Sequence, residues 1–126
     1  MEKADVIKRL KDFGYEYKED ADGHALDFAI SKASWSVLNE TNCDEIPEGL
    51  MNIAIDMACG EFLQLQKGFG KLTEIVFERV AKSISEGDTS VTFADGTTPE
   101  QKFDAAVGHL LTGHKGEFVR YRKLVW

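Results

Sequence analysis

The chain has 126 residues, of which 43% are hydrophobic and 29% charged, and its formal net charge is −7. This balance is typical of one folded globular domain, and the length leaves no room for a second core. No stretch approaches the about 20 apolar residues that a membrane span needs, and the charged first residues are unlike a signal peptide. The acidic total argues against tight nucleic-acid binding, because Lys and Arg supply most of that affinity by neutralising phosphates. We therefore expect one domain, 1–126, made in a cytosol, with no membrane partner.

The charge is unevenly distributed along the chain. Residues 1–66 hold 6 basic and 14 acidic side chains, whereas residues 67–126 hold 9 and 8. The final segment, residues 115–126, contains Lys115, Arg120, Arg122 and Lys123 against the single acid Glu117. The sequence thus indicates an acidic body that carries a basic, aromatic tail at 115–126.

Apolar residues spaced by three and four predict the first two helices. Val6, Leu10 and Phe13 predict a helix over about 3–13, ended by Gly14. A second helix over about 22–40 has a wide apolar stripe, which we expect to be buried. Its members are Leu26, Phe28, Ile30, Ala33, Trp35, Val37 and Leu38.

The third predicted helix covers about 47–67 and is apolar almost all around its axis. Pro47 suits the first turn, where its missing N–H would have had no partner. A helix that is apolar on every side is packed on several sides, so we expect it at the centre of the fold.

A fourth helix is predicted over about 72–84, and a fifth begins at Thr98 and ends at Gly113. The start signal of the fifth helix is strong: Thr98 can cap the helix, Pro99 lies in the first turn, and Gln101 follows the cap by three residues. Between them, residues 88–96 alternate with period two, which indicates a short extended or hairpin segment. The predicted fold is therefore mainly α, a compact bundle of about five helices around the central one.

Asp56 and Glu61 interrupt the central apolar helix, and two interpretations are open. They could be paired carboxylates for acid–base chemistry. Alternatively, each is hydrogen-bonded, ion-paired to a neighbouring helix, or at the edge that faces water. Their five-residue spacing places them about 140° apart at about 100° per residue, and no nucleophile or metal-ligand motif accompanies them, so we favour the second interpretation.

The histidines and cysteines suggest no cofactor. His109 and His114 are five residues apart, which would put them on different faces of a helix, whereas metal ligands on one helix are spaced by three or four. Cys43 and Cys59 are not expected to form a disulfide in a reducing compartment. We expect no catalytic residues, no metal and no cofactor, and hence no enzyme.

Several stretches, in order along nearly the whole chain, resemble the small head–tail connector proteins of siphovirus-type phages and prophages. They are Leu10–Tyr15, Ile46–Leu50, Ile53–Ala54, Asp56–Met57, Cys59–Leu63, Ser83–Phe93, Thr98–Gln101 and Tyr121–Trp126.

The resemblance implies a structural protein of virion assembly. Such a subunit forms a ring, usually twelve-fold, that joins the portal of the phage head to tail-side proteins and extends the channel for packaged DNA. It implies location in the host bacterial cytoplasm during assembly and then at the head–tail junction. DNA would pass through without specific binding, and an acidic channel wall suits this because it repels phosphates. The alternatives are a small acidic enzyme using Asp56 and Glu61, and a monomeric helical adaptor that binds a host protein.

Two segments are predicted to contact neighbouring subunits. The threonine-rich stretch after the fourth helix suits an arm that pairs with a partner, and the aromatic groups of the tail are too large to leave in water without a reason. The tail either folds back on its own bundle or docks on a neighbour, and both remain open. The interface candidates are Asp88, Thr89, Val91, Phe93, Phe118, Arg120, Tyr121, Arg122, Leu124 and Trp126.

Overall fold

The computed structural model describes residues 1–88 and 90–124, and within these ranges it contains five α-helices and no β-strand. The helices are α1 (Lys3–Asp12), α2 (Glu19–Thr41), α3 (Met51–Gly68), α4 (Glu74–Gly87) and α5 (Pro99–Thr112). A 3₁₀ turn, Glu48–Leu50, leads into α3, and a second 3₁₀ helix covers Lys115–Tyr121. The prediction of a mainly α bundle is confirmed. None of the helices in the described residues combines the length and apolar character that a membrane crossing requires.

Local signals account for the starts of α2, α4 and α5. The Thr98 side chain accepts from the backbone N–H of Gln101, whose side chain accepts from the N–H of Thr98, so the predicted capping box is present. Thr73 caps α4 by accepting from the N–H of Val76, which places the start of that helix two residues later than predicted. α2 begins three residues early at Glu19, because acidic side chains in a first turn interact favourably with the helix dipole.

α3 lies at the centre and packs against α1, α2 and α5, while α4 packs on α5. The core is formed by the apolar faces that these helices turn towards one another. It includes Val6, Leu10, Leu26, Val37, Ala54, Phe62, Leu63, Val80, Phe103 and Val107. The prediction of a central helix packed on several sides is therefore confirmed.

The segment 88–96 is a loop with two turns in the described residues, and no strand pairing is present there. The N–H of Val91 donates to the carbonyl of Asp88 (3.1 Å), and the N–H of Thr97 donates to that of Ala94 (3.3 Å). Val91 is buried, and the Ser85 hydroxyl donates to its carbonyl (3.3 Å). The segment therefore packs on its own helices.

A buried polar network links α3 to the chain between α1 and α2 and to the first turn of α2. The Gln66 amide donates to the hydroxyl of Tyr15 and to the carboxylate of Asp22, both at 2.9 Å. Tyr15 in turn donates to Asp22 (3.0 Å), which also accepts from the backbone N–H of Lys18 (3.0 Å). Asp22 and Gln66 are both buried, so these bonds pair polar groups that would otherwise be costly to remove from water. The Gln66 Oε1 is buried without a hydrogen-bond partner among the described residues.

We expect Tyr15→Phe to lower the free energy of unfolding by about 1–2 kcal/mol, because it removes two hydrogen bonds from a largely buried network. Tyr17→Phe is the matched control, since the Tyr17 hydroxyl bonds to an exposed carboxylate, that of Glu19. Urea unfolding at neutral pH measures both variants. Equal losses in the two would contradict a special role for the Tyr15 network.

The same network predicts a dependence of stability on alkaline pH. Burial raises the pKa of Tyr15 from 10.0 to about 12, and the hydrogen bond to Asp22 adds to the increase. A pKa raised on folding means that the neutral phenol contributes stability that is complete below about pH 10 and is lost as the pH rises towards 12. The stability advantage of the wild type over Tyr15→Phe should therefore shrink between pH 10 and 12 in urea unfolding. A constant difference would show that Tyr15 titrates normally.

Candidate functional site

The final segment folds back on its own subunit as far as Leu124. Phe118 is only 1% exposed and belongs to the core. The backbone N–H of Lys123 donates to the carbonyl of Thr41 at the end of α2 (2.7 Å), and the Asn42 side chain donates to the carbonyl of Lys123 (3.0 Å). Of the two accounts of the tail, intramolecular packing therefore applies to these residues.

Tyr121 and Arg122 reinforce this attachment. The Tyr121 ring lies against Gly49, and its carbonyl accepts a weak hydrogen bond from the thiol of Cys43 (3.3 Å). The Arg122 Nε donates to the carbonyl of Glu40 (3.0 Å), and its guanidinium lies 3.5 Å from the Glu40 carboxylate. Tyr121 and Arg122, both predicted interface residues, thus already make contacts within their own chain.

The outer side of the same segment stays exposed. Arg120, Val119 and Leu124 are largely in contact with solvent, and the partner of Arg120 is Glu117 in its own helix at 3.6 Å. Trp126 lies outside the described residues. The segment therefore presents Arg120 beside Val119, with Leu124 further along, to a neighbouring molecule. Lys115, Arg122 and Lys123 are also exposed.

The predicted candidates in the segment 88–96 are in different environments. Val91 is buried and Phe93 is half-buried, with the Lys102 ammonium 5.9 Å from its ring centroid. Thr89 lies outside the described residues, and Asp88 contacts two histidines. The expectation of surface contacts is wrong for Val91 and Phe118, because their side chains fill the core of their own subunit.

Asp88, His109 and His114 come together at the end of α4. The Asp88 Oδ2 lies 2.6 Å from Nε2 of His109 and 3.7 Å from Nε2 of His114, and the two imidazole centroids are 5.1 Å apart. The prediction that the five-residue spacing separates the histidines is wrong, because α5 ends at Thr112 and the chain turns before His114.

The carboxylate of this cluster is strongly stabilised in its ionised form. The Ser90 hydroxyl and backbone N–H both donate to Asp88 Oδ1, at 2.6 and 3.0 Å. These two bonds, followed by that from His109, lower the pKa of Asp88 from 3.8 to about 2. Among the described residues, these three side chains form the one group with the composition and spacing of metal ligands.

Asp56 and Glu61 do not form a pair. Asp56 accepts from Nε of Arg9 on α1 (2.8 Å), whereas Glu61 lies 3.1 Å from the Lys32 ammonium on α2. The interpretation that each is ion-paired to a neighbouring helix is confirmed. A shared acid–base site using both carboxylates has no geometric basis here.

Large aromatic side chains are exposed on the outer face of α2. Phe28 is 58% and Trp35 is 62% exposed, so the expectation that they belong to the buried stripe is wrong. Seven residues correspond to about two turns, which places both on one side of the helix. Phe69, at the end of α3, is also exposed, and with Phe28 it borders an apolar cleft of about 450 Å³.

Comparison of the chain with protein-family models, with curated proteins and with solved structures found no match. A functional assignment therefore depends on the residues and contacts described above and on the resemblance that the sequence carries.

We expect Phe118→Ala to lower the free energy of unfolding by about 3–5 kcal/mol, the usual cost of emptying a buried phenylalanine site. The adjacent Val119→Ala, on the exposed side of the same 3₁₀ helix, should change it little. Urea unfolding monitored by circular dichroism compares them. A stable Phe118→Ala protein would contradict the intramolecular packing of the tail.

Proposed function

We propose that the protein is a structural assembly subunit that forms a ring and, in a bacteriophage or prophage virion, joins the head portal to the tail. In this proposal it is made in the host bacterial cytoplasm and ends at the head–tail junction. Its partners are copies of itself, the portal protein and tail-side connector proteins. DNA passes along the ring axis without specific binding, and the chain performs no catalysis.

The observation that carries the proposal is the aromatic face of α2. Phe28 and Trp35 are more than half exposed on one side of the helix. Exposed apolar groups of this size are characteristic of interaction sites, and tryptophan is among the residues that contribute most to binding energy. A subunit that functions by assembling needs a surface of this kind.

Charge complementarity favours a second copy of the chain as the occupant of this face. Asp27, next to Phe28 in the sequence of α2, is largely exposed, although one of its oxygens lies 2.9 Å from the Lys3 ammonium, and Arg120 on the final segment is also largely exposed. Arg120 is flanked by Val119, and Leu124 lies four residues further on, so the segment offers a cation together with apolar side chains. An arginine against tryptophan, with a carboxylate nearby, is a favourable arrangement.

A contact between two different surfaces of identical subunits has a defined consequence. It leaves an unused face at each end of every pair, so that further copies add, and they form a ring where the rotation between subunits closes and a filament where it does not. The aromatic face of α2 and the final segment are two such surfaces on one chain. This supports a ring over a symmetric dimer.

The acidic half of the chain suits the proposed channel. Residues 1–66 contain 14 acidic and 6 basic side chains. A wall with this excess repels phosphates and avoids the affinity that counterion release would supply, so DNA could slide past it.

The alternatives differ in what they require. A small acidic enzyme using Asp56 and Glu61 would need the two carboxylates in one site, yet they pair with cations on different helices. A monomeric helical adaptor would use the same aromatic face against a host protein. Self-association separates this alternative from the ring.

We expect wild-type protein to form rings visible by negative-stain electron microscopy, and both Trp35→Glu and Arg120→Glu to remain monomeric in sedimentation velocity. Each variant removes one of the two complementary surfaces. Ile75→Glu is the matched control, because Ile75 is an equally exposed apolar residue on α4 and should leave assembly intact.

Mixing the two variants is the sharper test. The Trp35→Glu subunit keeps its final segment and the Arg120→Glu subunit keeps its α2 face, so an equimolar mixture should form pairs but no rings. Rings in either variant alone would contradict this interface. A wild-type chain that stays monomeric at millimolar concentration would favour the monomeric adaptor.

A further inference from the structure

The cluster of Asp88, His109 and His114 has the dimensions of a metal site. Its three donor atoms lie within 4.8 Å of one another. Around a tetrahedral zinc ion, with bonds of about 2.0–2.1 Å, neighbouring donors are about 3.3 Å apart. The two distances from the Asp88 oxygen, 2.6 and 3.7 Å, lie on either side of that value. Small side-chain movements would bring all three atoms to coordinating distance.

The carboxylate is oriented for this role by its neighbours. Both hydrogen bonds from Ser90 end on Oδ1 of Asp88, and both histidine contacts are made by Oδ2. One oxygen is therefore anchored and the other is directed at the two imidazoles. Outer hydrogen bonds that fix a ligand in this way are a regular part of protein metal sites.

Gly113 allows the His109 ring to occupy its position. A Cβ atom at residue 113 would lie 2.6 Å from Cε1 of His109 and 2.6 Å from the His109 carbonyl oxygen, closer than real contacts allow. The backbone at Gly113 is ordinary right-handed helical, with φ −66°. Glycine is therefore required by the close approach of the ring and not by backbone conformation.

A plain hydrogen bond explains only part of the arrangement. The 2.6 Å contact between Asp88 and His109 is an ordinary carboxylate–imidazole bond, but a second imidazole, that of His114, approaches the same oxygen. Three chain segments converge here: the residue after α4, the last turn of α5 and the residue before the final 3₁₀ helix. One metal cation could bind all three ligand atoms, the Asp88 oxygen and a nitrogen of each histidine.

We propose that Asp88, His109 and His114 bind a divalent transition-metal ion, with zinc as the best fit. Two imidazole nitrogens and one carboxylate oxygen suit zinc, whereas magnesium and calcium prefer oxygen ligands alone. Three protein ligands leave a fourth position for water. Asp88 and His114 line a cleft of about 420 Å³ together with Arg9, which gives water a route to these two ligands. The bound ion would tie the C-terminal end of α4 to α5 and to the final segment.

The test uses the full chain with Zn²⁺ in calorimetric titration and Co²⁺ in absorption spectroscopy. We expect one ion per chain, and a tetrahedral cobalt spectrum without a sulfur charge-transfer band, because neither Cys43 nor Cys59 is a ligand. Zn²⁺ should raise the melting temperature, since an ion that binds the native state stabilises it. Mg²⁺ at the same concentration should not.

Variants identify the ligands. His114→Ala should weaken Zn²⁺ binding more than tenfold, and His24→Ala, which removes the exposed histidine on α2, should leave it unchanged. Asp88→Asn keeps an oxygen for Ser90 to donate to and removes the anionic ligand, so it tests the site even if His114→Ala proves unstable. Gly113→Ala should also weaken binding by displacing the His109 ring.

Two results would overturn the proposal. One is wild-type Zn²⁺ binding no tighter than millimolar at neutral pH. The other is an affinity that is equal in the wild type, in His114→Ala and in Asp88→Asn, which would place the ion elsewhere. Neither result depends on whether the chain forms rings, so the proposed function and the metal site are tested separately.

Discussion

The burial of α3 among α1, α2 and α5 is the constraint on which the other elements depend. Small residues along α3, such as Ala54, Ala58 and Gly60, let neighbouring helices approach its backbone closely. At Gly60 an added Cβ would lie 3.0 Å from two atoms of Leu111, so α5 packs at the limit that glycine permits. Because protein interiors are close-packed, a helix surrounded in this way determines the separation of all its neighbours.

The polar residues of α3 determine how those neighbours are aligned. Asp56 bonds to Arg9 of α1, Glu61 to Lys32 of α2, and Gln66 to the connection between these two helices. Partly exposed ion pairs contribute little stability, typically less than about 1 kcal/mol. Their directional geometry nevertheless favours one register of α1 and α2 along α3 over others in which these charges would lose their partners. The acids that suggested an active site in the sequence thus have a structural role.

The features suited to intermolecular function lie at the surface. The aromatic face of α2 is on the side of that helix opposite its buried residues, and Phe28 borders a cleft together with Phe69 at the end of α3. The Asp88 cluster is formed where α4 and α5 end, close to the start of the final 3₁₀ helix. A metal bound there would stiffen the base of the segment that carries Arg120. The proposed assembly surface and the proposed metal site are therefore physically connected, although each can exist without the other.

The number and order of the helices could be predicted from the sequence because they depend on local interactions, although α2, α3 and α4 begin two to four residues from their predicted starts. The capping box at Thr98 and the turn at Gly14 involve residues only a few positions apart, and the apolar character of α3 is a property of its own residues. The exposure of Phe28 and Trp35 could not be predicted in this way. α2 is apolar on more than one side, and which side meets water depends on where the other helices lie.

The composition of the candidate sites likewise depends on tertiary structure, because it is set by where the helices lie relative to one another. The spacing of His109 and His114 suggested separation, because it corresponds to different faces of a helix, and the predicted helix end at Gly113 did not show where the chain would place His114. The turn after α5 and the distant Asp88 bring them together instead. Likewise, the apolar residues of the final segment showed that it needed a partner surface, but only the fold shows that Phe118 finds it in its own core. Sequence determines which apolar groups each helix carries, and the packing of all the helices determines which of those groups are buried and which remain exposed.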